Sequence, residues 1–179
     1  MSIEIVFETH VLSEDNERGI ATGWLPGRLS QRGRDNAAQM GRRRRDDGIA
    51  AVFRSDLRRS VETAEIAFGE TDIPILYDWR LRECDFGRRN GTPAAELRQD
   101  RQDYLDRPYP GGESRRQAVR RVSGLLADLP ARWDGQRVLL IGHVATQHAL
   151  EHVANGIALE DLVAADFDWR EEGWEYRLE

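Results

Sequence analysis

Ile3–His10 reads IEIVFETH: an apolar, β-branched run that ends on a histidine as the chain turns polar. Arg137–His143, RVLLIGH, has the same form, and Ala51–Ser55, AVFRS, is a shorter version ending on a serine. Runs of this length, rich in Val, Ile and Phe, read as strands. Near-continuous apolarity, as in Val138–Ile141, marks a strand buried on both faces, which is the habit of parallel sheets. Each run is followed by a helix-like segment, so the chain alternates strand and helix. That alternation predicts a three-layer α/β/α sandwich, a largely parallel central sheet with helices on both faces.

Outward from these runs, "LSQRGRDNAAQMGRRRR" predicts a helix beginning near Ser30 and ending by Gly48. The next helix, from about Asp56 to Phe68, places Leu57, Val61, Ala64 and Phe68 on one face. Ile73–Tyr77 reads as an edge strand, because Pro74 cannot donate to a central ladder. Pro93–Asp103 is predicted helical. Ser114 is the expected N-cap of a helix turning Ala118, Val122, Leu125, Leu126 and Leu129 inward. A last helix spans about Ala145 to Asn155 and is closed by Gly156, and Trp174, Tyr176 and Leu178 alternate along a half-exposed terminal strand. With no repeat, linker or composition break, residues 1–179 are expected to form one domain.

Composition removes several functions. The 26 basic residues are all arginine, so Schiff-base and ammonium-phosphate chemistry have no lysine to use. A single cysteine, Cys84, rules out an intrachain disulfide and fits a reducing, cytoplasmic setting. Nothing resembles a signal peptide or a membrane span. The run GRRRRDDG, Gly41–Gly48, reads as the cationic end of a helix rather than a nucleic-acid patch, given a net charge of −6. His148 and His152 stand at i, i+4, but two ligands without a third make no metal site, and they are read as surface or packing residues. No metal, cofactor, nucleic-acid or membrane partner is expected; the oligomeric state is open and a homodimer is compatible with the chain.

In parallel sheets, ligands bind at the C-terminal ends of strands. That rule gathers His10, Ser55 with nearby Arg59, and His143 on one rim. A neutral imidazole can attack phosphorus while an arginine holds the equatorial oxygens and a carboxylic acid protonates the leaving oxygen. "WRLRECDFGRRNG" offers Glu83 as that acid, with Asp85 as the competing choice.

Taken together, these segments resemble the histidine phosphatase superfamily, the phosphoglycerate-mutase-like proteins, over essentially the whole chain. "NERGIATGWLPGRLSQRG" is similar to the family's N…TGW…LS..G segment, "SDLRRSVETAEIAF" to its S-x-L-x-R-x-x-x-T-A helix, and "LRECDFGRRNG" to its L-x-E-x-x-x-G-x-x-x-G loop. "PGGES" and "VLLIGH" resemble its later G-E-S and V-x-x-x-x-H elements. The resemblance implies His10 as nucleophile, Arg59 as phosphate holder, Glu83 as acid/base and His143 as second histidine. It also implies substrate contacts from Asn16, Thr22 and Gly23, a small phosphorylated substrate, and no cofactor. The mutase branch is disfavoured, because no long insertion separates Glu83 from PGGES.

The departures are local. Where the family reads Arg-His-Gly, this chain reads Thr9-His10-Val11, and Val144 replaces the small residue after the second histidine. A missing charge-assisted donor is worth roughly 1.5–3 kcal/mol. Arg18, or else Arg28 or Arg82, is the expected substitute. Two residues before His10, Glu8 shares its face if the pleat is regular, and is either a proton-transfer partner of His10 or paired to an arginine. Three readings follow: a phosphatase working through phospho-His10; an acid/base enzyme using His10, Glu8, Glu83 and His143 on a less anionic substrate; or a silent binder of phosphorylated ligands. Retention of Glu83 favours an enzyme, and the phosphatase is preferred.

Overall fold

A computed structural model describes residues 2–179. Five strands form one sheet in the order β4-β3-β6-β1-β7. They are β1 (Ile3–Thr9), β3 (Ile49–Arg54), β4 (Ile75–Tyr77), β6 (Arg137–Gly142) and β7 (Trp174–Leu178). The first four run parallel, and β7 closes the far edge antiparallel to β1. Strand β4 takes the opposite edge, where Pro74 costs no ladder bond. The mostly parallel α/β/α architecture is therefore as predicted.

The apolar run RVLLIG lies at the centre because β6 must be covered twice. Val138 and Leu140 pack with Ile5, Phe7 and the inward face of α5 (Arg115–Asp128). Leu139 and Ile141 pack on the opposite side with Val6, Met40 and Phe68, which belong to β1, α2 (Gln31–Arg44) and α3 (Arg58–Phe68). Alternate residues of one strand thus feed two cores, the period-2 geometry of a pleated sheet. Helix α7 (Val144–Asn155) joins α5 on its face and ends on Gly156 in the left-handed conformation, φ 68°.

Ser30 and Ser114 cap α2 and α5 as expected, each accepting from the third residue of its helix. The helix after β3 starts at Arg58 rather than Asp56, with Leu57 at the cap. The stretch from Pro93 is divided: α4 (Ala94–Gln99) is followed by a 3₁₀ turn over Arg101–Tyr104. The sequence also conceals a two-stranded antiparallel ribbon of β2 (Ile20–Ala21) and β5 (Thr92–Pro93), too short to carry a periodic signal. The remaining short helices are α1 (Glu14–Glu17), α6 (Pro130–Trp133) and α8 (Leu159–Ala164). Among the described residues, no helix is long and apolar enough to cross a membrane, and no group of metal-ligating side chains is assembled.

Candidate active site

Sheet register brings the two strand-end histidines together. Thr9 pairs with Gly142, so the next residues on each strand, His10 and His143, leave the sheet side by side with ring centroids 5.1 Å apart. Strand β3 lies on the other flank of β6, with Arg54 opposite Ile141. Ser55 therefore reaches His143 Nε2 at 2.9 Å. Helix α3 begins three residues later, and its first turn carries Arg59 under both rings.

The hydrogen bonds select the tautomers. His10 Nδ1 lies 2.8 Å from the Val11 carbonyl, which only accepts, so Nδ1 carries the proton and Nε2 is the bare nitrogen. Arg59 Nε points at that nitrogen from 3.3 Å. Arg59 Nη2 donates to the Gly23 carbonyl at 2.9 Å and faces His143 Nδ1 at 3.4 Å. A guanidinium has no lone pair to offer, so His143 Nδ1 is the acceptor and its Nε2–H donates to Ser55. Arg59 Nη1 is buried and has no partner among the described residues. A buried, unpaired guanidinium N–H beside a bare imidazole nitrogen is a prepared anion donor.

Gly23 is required where it stands. Its φ is +57°, and a Cβ there would lie 1.9 Å from Asn90 Oδ1. Gly33 is equally constrained, because a Cβ would lie 1.9 Å from the Leu12 carbonyl, where α2 crosses the loop after His10.

Glu83 enters from the loop after β4. Its Oε1 accepts from the Cys84 N–H at 2.8 Å and the Ala145 N–H at 3.3 Å, and its Oε2 from the Val144 N–H at 3.2 Å. The loop is held from outside: Trp24 Nε1 donates to the Glu83 carbonyl at 2.6 Å, and Arg121 of α5 donates to the carbonyls of Arg80, Arg82 and Glu83. Asp85, the competing acid, is used up locally, accepting from the Gly87 N–H and the Asn90 amide. Glu113 binds Arg121 and the Asp85 N–H, while Gly112 packs on the backbone of Asp85 and Gly87.

A cleft of about 750 Å³ opens on these groups. Of the residues read from sequence, Thr9, His10, Asn16, Thr22, Gly23, Arg59, Glu83, His143 and Val144 all line it. Asn16 spends its carbonyl oxygen on Ser13, and the Thr22 hydroxyl donates to Asp15 at 2.8 Å.

Two expectations are corrected. Glu8 does not reach the cleft: it faces α2, as the pleat requires, and is buried between Arg43 Nη2 and Arg44 Nε, each at 2.8 Å. Two arginines of the GRRRR run, Arg43 and Arg44, are thus committed to the fold, and the proton-transfer partnership of Glu8 with His10 is absent. Nor do Arg18, Arg28 or Arg82 fill the vacancy left by Thr9. Arg18 is exposed away from the cleft, Arg28 pairs with Glu14, and Arg82 pairs with Asp56 and lies over Trp24. Arginines from unexpected segments line the cleft instead: Arg32, Arg98, Arg101 and Arg115.

Loss of water around His10, aided by the Arg59 charge, pushes its pKa down to about 3 against a weaker opposing pull from the Val11 carbonyl. His143 is driven well below the ordinary histidine value by the same two causes in the same order. Burial also lowers Arg59, to about 10, with Glu83 and Asp15 opposing, so it stays charged at neutral pH. His148, read from sequence as a surface or packing residue, is buried and lines the cleft. Burial first, then Arg115 and Arg101, push it to about 4. Cys84 is buried and its thiol is pushed up by the loss of water, which makes it inert.

These neutral histidines carry a stability consequence. Each binds a proton in the unfolded chain near pH 6.5 but not in the fold, so stability is present above that pH and is lost as pH falls. The cost is about 1.4 kcal/mol per pH unit for each such histidine. Between pH 6 and 4.5, His148→Gln should flatten the fall in unfolding free energy by about one such share, measured by urea denaturation. Equal slopes for variant and wild type would show that His148 is not held neutral.

Residues 5–169 match the family model described as histidine phosphatase superfamily, branch 1. The chain belongs to the histidine phosphatase superfamily. Among curated histidine phosphatase relatives, a 2,3-bisphosphoglycerate-dependent phosphoglycerate mutase of Methylobacterium sp. (strain 4-46) is 32% identical, over 97% of this chain and 90% of that protein. The solved YhfR of Bacillus stearothermophilus superposes with a TM-score of 0.80 at 26% identity, covering 95% of this chain and 87% of that one. A mycobacterial glucosyl-3-phosphoglycerate phosphatase gives a TM-score of 0.81 at 22% identity, covering 99% and 90%. This chain's own Thr9-His10-Val11 sequence marks where it departs from the Arg-His-Gly pattern.

Proposed function

We propose that the protein hydrolyses small phosphomonoesters through a phosphohistidine on His10. The observation that carries this is the Nε2 lone pair of a neutral His10 facing Arg59 Nε at 3.3 Å, on a guanidinium whose buried Nη1 has no partner among the described residues. In the first step the Nε2 lone pair forms the N–P bond as the ester P–O bond breaks, and Glu83 in its acid form gives its proton to the departing oxygen. The positive charge left on the ring rests against the Val11 carbonyl at Nδ1. In the second step, water loses a proton to the Glu83 carboxylate and attacks phosphorus. The N–P bond breaks, and phosphate leaves with neutral His10 restored.

Arg59 holds the equatorial oxygens in this reading, and Asn16 and Arg32 are further polar groups that line the cleft. Arg32 stands in the first turn of α2, beside the loop after His10, and takes the part of the arginine that Thr9 replaces. Hydrolysis suits a chain with only short elements between Glu83 and Ser114: two 3₁₀ turns, the two-residue strand β5 and the six-residue helix α4. The acid/base reading loses one of its four groups with Glu8 buried between two arginines.

Rapid-quench mass spectrometry during turnover of an aryl phosphate should find a phosphorylated peptide containing His10, and inorganic phosphate should inhibit competitively. Turnover of that ester without any phosphoenzyme, or indifference to phosphate, would defeat the proposal.

A further inference from the structure

Glu83 sits on a stretch with no regular structure of its own. It lies between two 3₁₀ turns, Trp79–Leu81 and Gly87–Arg89, and residues 82–86 belong to no helix or strand. Its carboxylate oxygens accept from the Cys84, Val144 and Ala145 N–H groups, a set that suits the charged form. When the group carries a proton, part of that hold is given up, so the acid form needs its loop fixed by other means.

Arg121 of α5 supplies them. Its side chain is 6% exposed, and it does not line the cleft. Nη1 donates to the carbonyls of Arg80 at 2.7 Å and Arg82 at 3.0 Å, and Nη2 to the carbonyl of Glu83 at 3.2 Å. Nε and Nη2 grip the two oxygens of Glu113 at 2.9 and 2.7 Å, and Glu113 Oε2 accepts in turn from the Asp85 N–H at 3.1 Å. All five N–H donors of the guanidinium are thereby engaged, three on the main chain of the loop and two on a carboxylate that itself holds the loop. Main-chain carbonyls do not titrate, so this fork grips the loop in both states of Glu83. An ammonium group, with three donors and no plane, cannot copy it.

We propose that Arg121 is a positioning residue for the acid/base step. It holds the Glu83 main chain so that the carboxyl group meets the leaving oxygen, and it touches neither the substrate nor the reacting atoms. The proposal rests on the phosphatase reading, in which Glu83 protonates that oxygen.

Two aryl esters compared by kcat/KM, which reports formation of the phosphoenzyme, provide the test. Phenyl phosphate needs its leaving oxygen protonated, whereas 2,4-dinitrophenyl phosphate expels a weak base that does not. Arg121→Lys should lower kcat/KM for phenyl phosphate by about 10- to 100-fold, the scale of a misplacement of about 1 Å, and for the dinitrophenyl ester by no more than about threefold. Competitive inhibition by inorganic phosphate, which reads the His10 and Arg59 end, should stay within about twofold of wild type. Glu113→Gln keeps Arg121 but breaks one arm of its fork, and should shift the ratio of the two esters in the same direction by a smaller factor; it decides the matter if Arg121→Lys does not fold. Glu83→Gln is the reference, with its own selective loss on phenyl phosphate, and adding Arg121→Lys to it should change the ratio no further. An unaltered ratio of the two esters in Arg121→Lys and Glu113→Gln, whether or not both rates fall, would make Arg121 a structural residue and overturn the proposal. A selective loss in Glu83→Gln with none in the other two variants fails the positioning role alone. Equal losses on both esters in Glu83→Gln, or no turnover of either ester by the wild type, would defeat the phosphatase reading and the positioning role with it.

Discussion

His10→Ala should lower aryl phosphate turnover by at least about 10⁴-fold, the scale seen when a covalent nucleophile is removed from an otherwise intact site. The geometry makes the loss specific. Nδ1 is committed to the Val11 carbonyl, so Nε2 carries the one available lone pair of that ring, facing Arg59 Nε at 3.3 Å. His143 is set back from the cleft by comparison, since it is 1% exposed and its Nε2 proton is held by Ser55, whereas His10 is only half-buried. The variant should keep the fold, because the ring is half-buried at the cleft floor and its loss removes one buried neutral base. Steady-state assays and near-ultraviolet circular dichroism would check both parts. A variant that keeps a tenth or more of wild-type activity, with no phosphopeptide, would move the nucleophile elsewhere.

Arg59→Gln is the second large effect, with two expected signatures. Removing an oxyanion donor costs about 10² to 10³ in rate. Because Arg59 also helps to hold His10 below its ordinary range, its loss should alter the pH profile. In the wild type, with His10 pushed down to about 3, the acid limb of kcat/KM should not fall near 6.5. In Arg59→Gln the His10 pKa rises, so any acid limb due to His10 moves to higher pH and the residual rate falls further in mild acid. A change that merely loosened the fold would lower the rate without moving the limb. A full pH–rate profile of both proteins separates the cases, and an unmoved limb would show that Arg59 acts on phosphate alone. Glutamine is preferred to alanine, because it keeps most of the aliphatic stem and a polar, uncharged end in the buried site.

Both predictions trace to residues legible in the chain. His10 and His143 were readable as neighbours because each terminates a strongly apolar strand, and parallel strands deliver their ends to one rim. Arg59 and Glu83 followed from the resemblance of their segments to family motifs. Glu8 was legible only in part. Its pairing with an arginine was one of two readings left open, and its partners, Arg43 and Arg44, lie 35 and 36 residues away on α2, where nothing local foretells which of many arginines will meet a buried carboxylate. The same limit explains the arginine expected near Thr9. Arg18 is close in sequence yet exposed, whereas Arg32, Arg98 and Arg115 line the cleft from the helices α2, α4 and α5. His148 was hidden among alternatives because an i, i+4 histidine pair reads alike on a surface, in a core or beside a cleft.

The amino-acid sequence by itself determined the strands of the main sheet, the Ser30 and Ser114 caps and the mostly parallel arrangement, because periodicity, turn chemistry and strand ends are local properties of the chain. Only the tertiary structure decided which nitrogen of His10 is bare, which carboxylates and arginines are already spent on each other, and where surplus positive charge collects. Those are questions of pairing across long sequence separations. Electrostatic and hydrogen-bond partners are set by distances of a few ångströms in space, which local patterns do not encode.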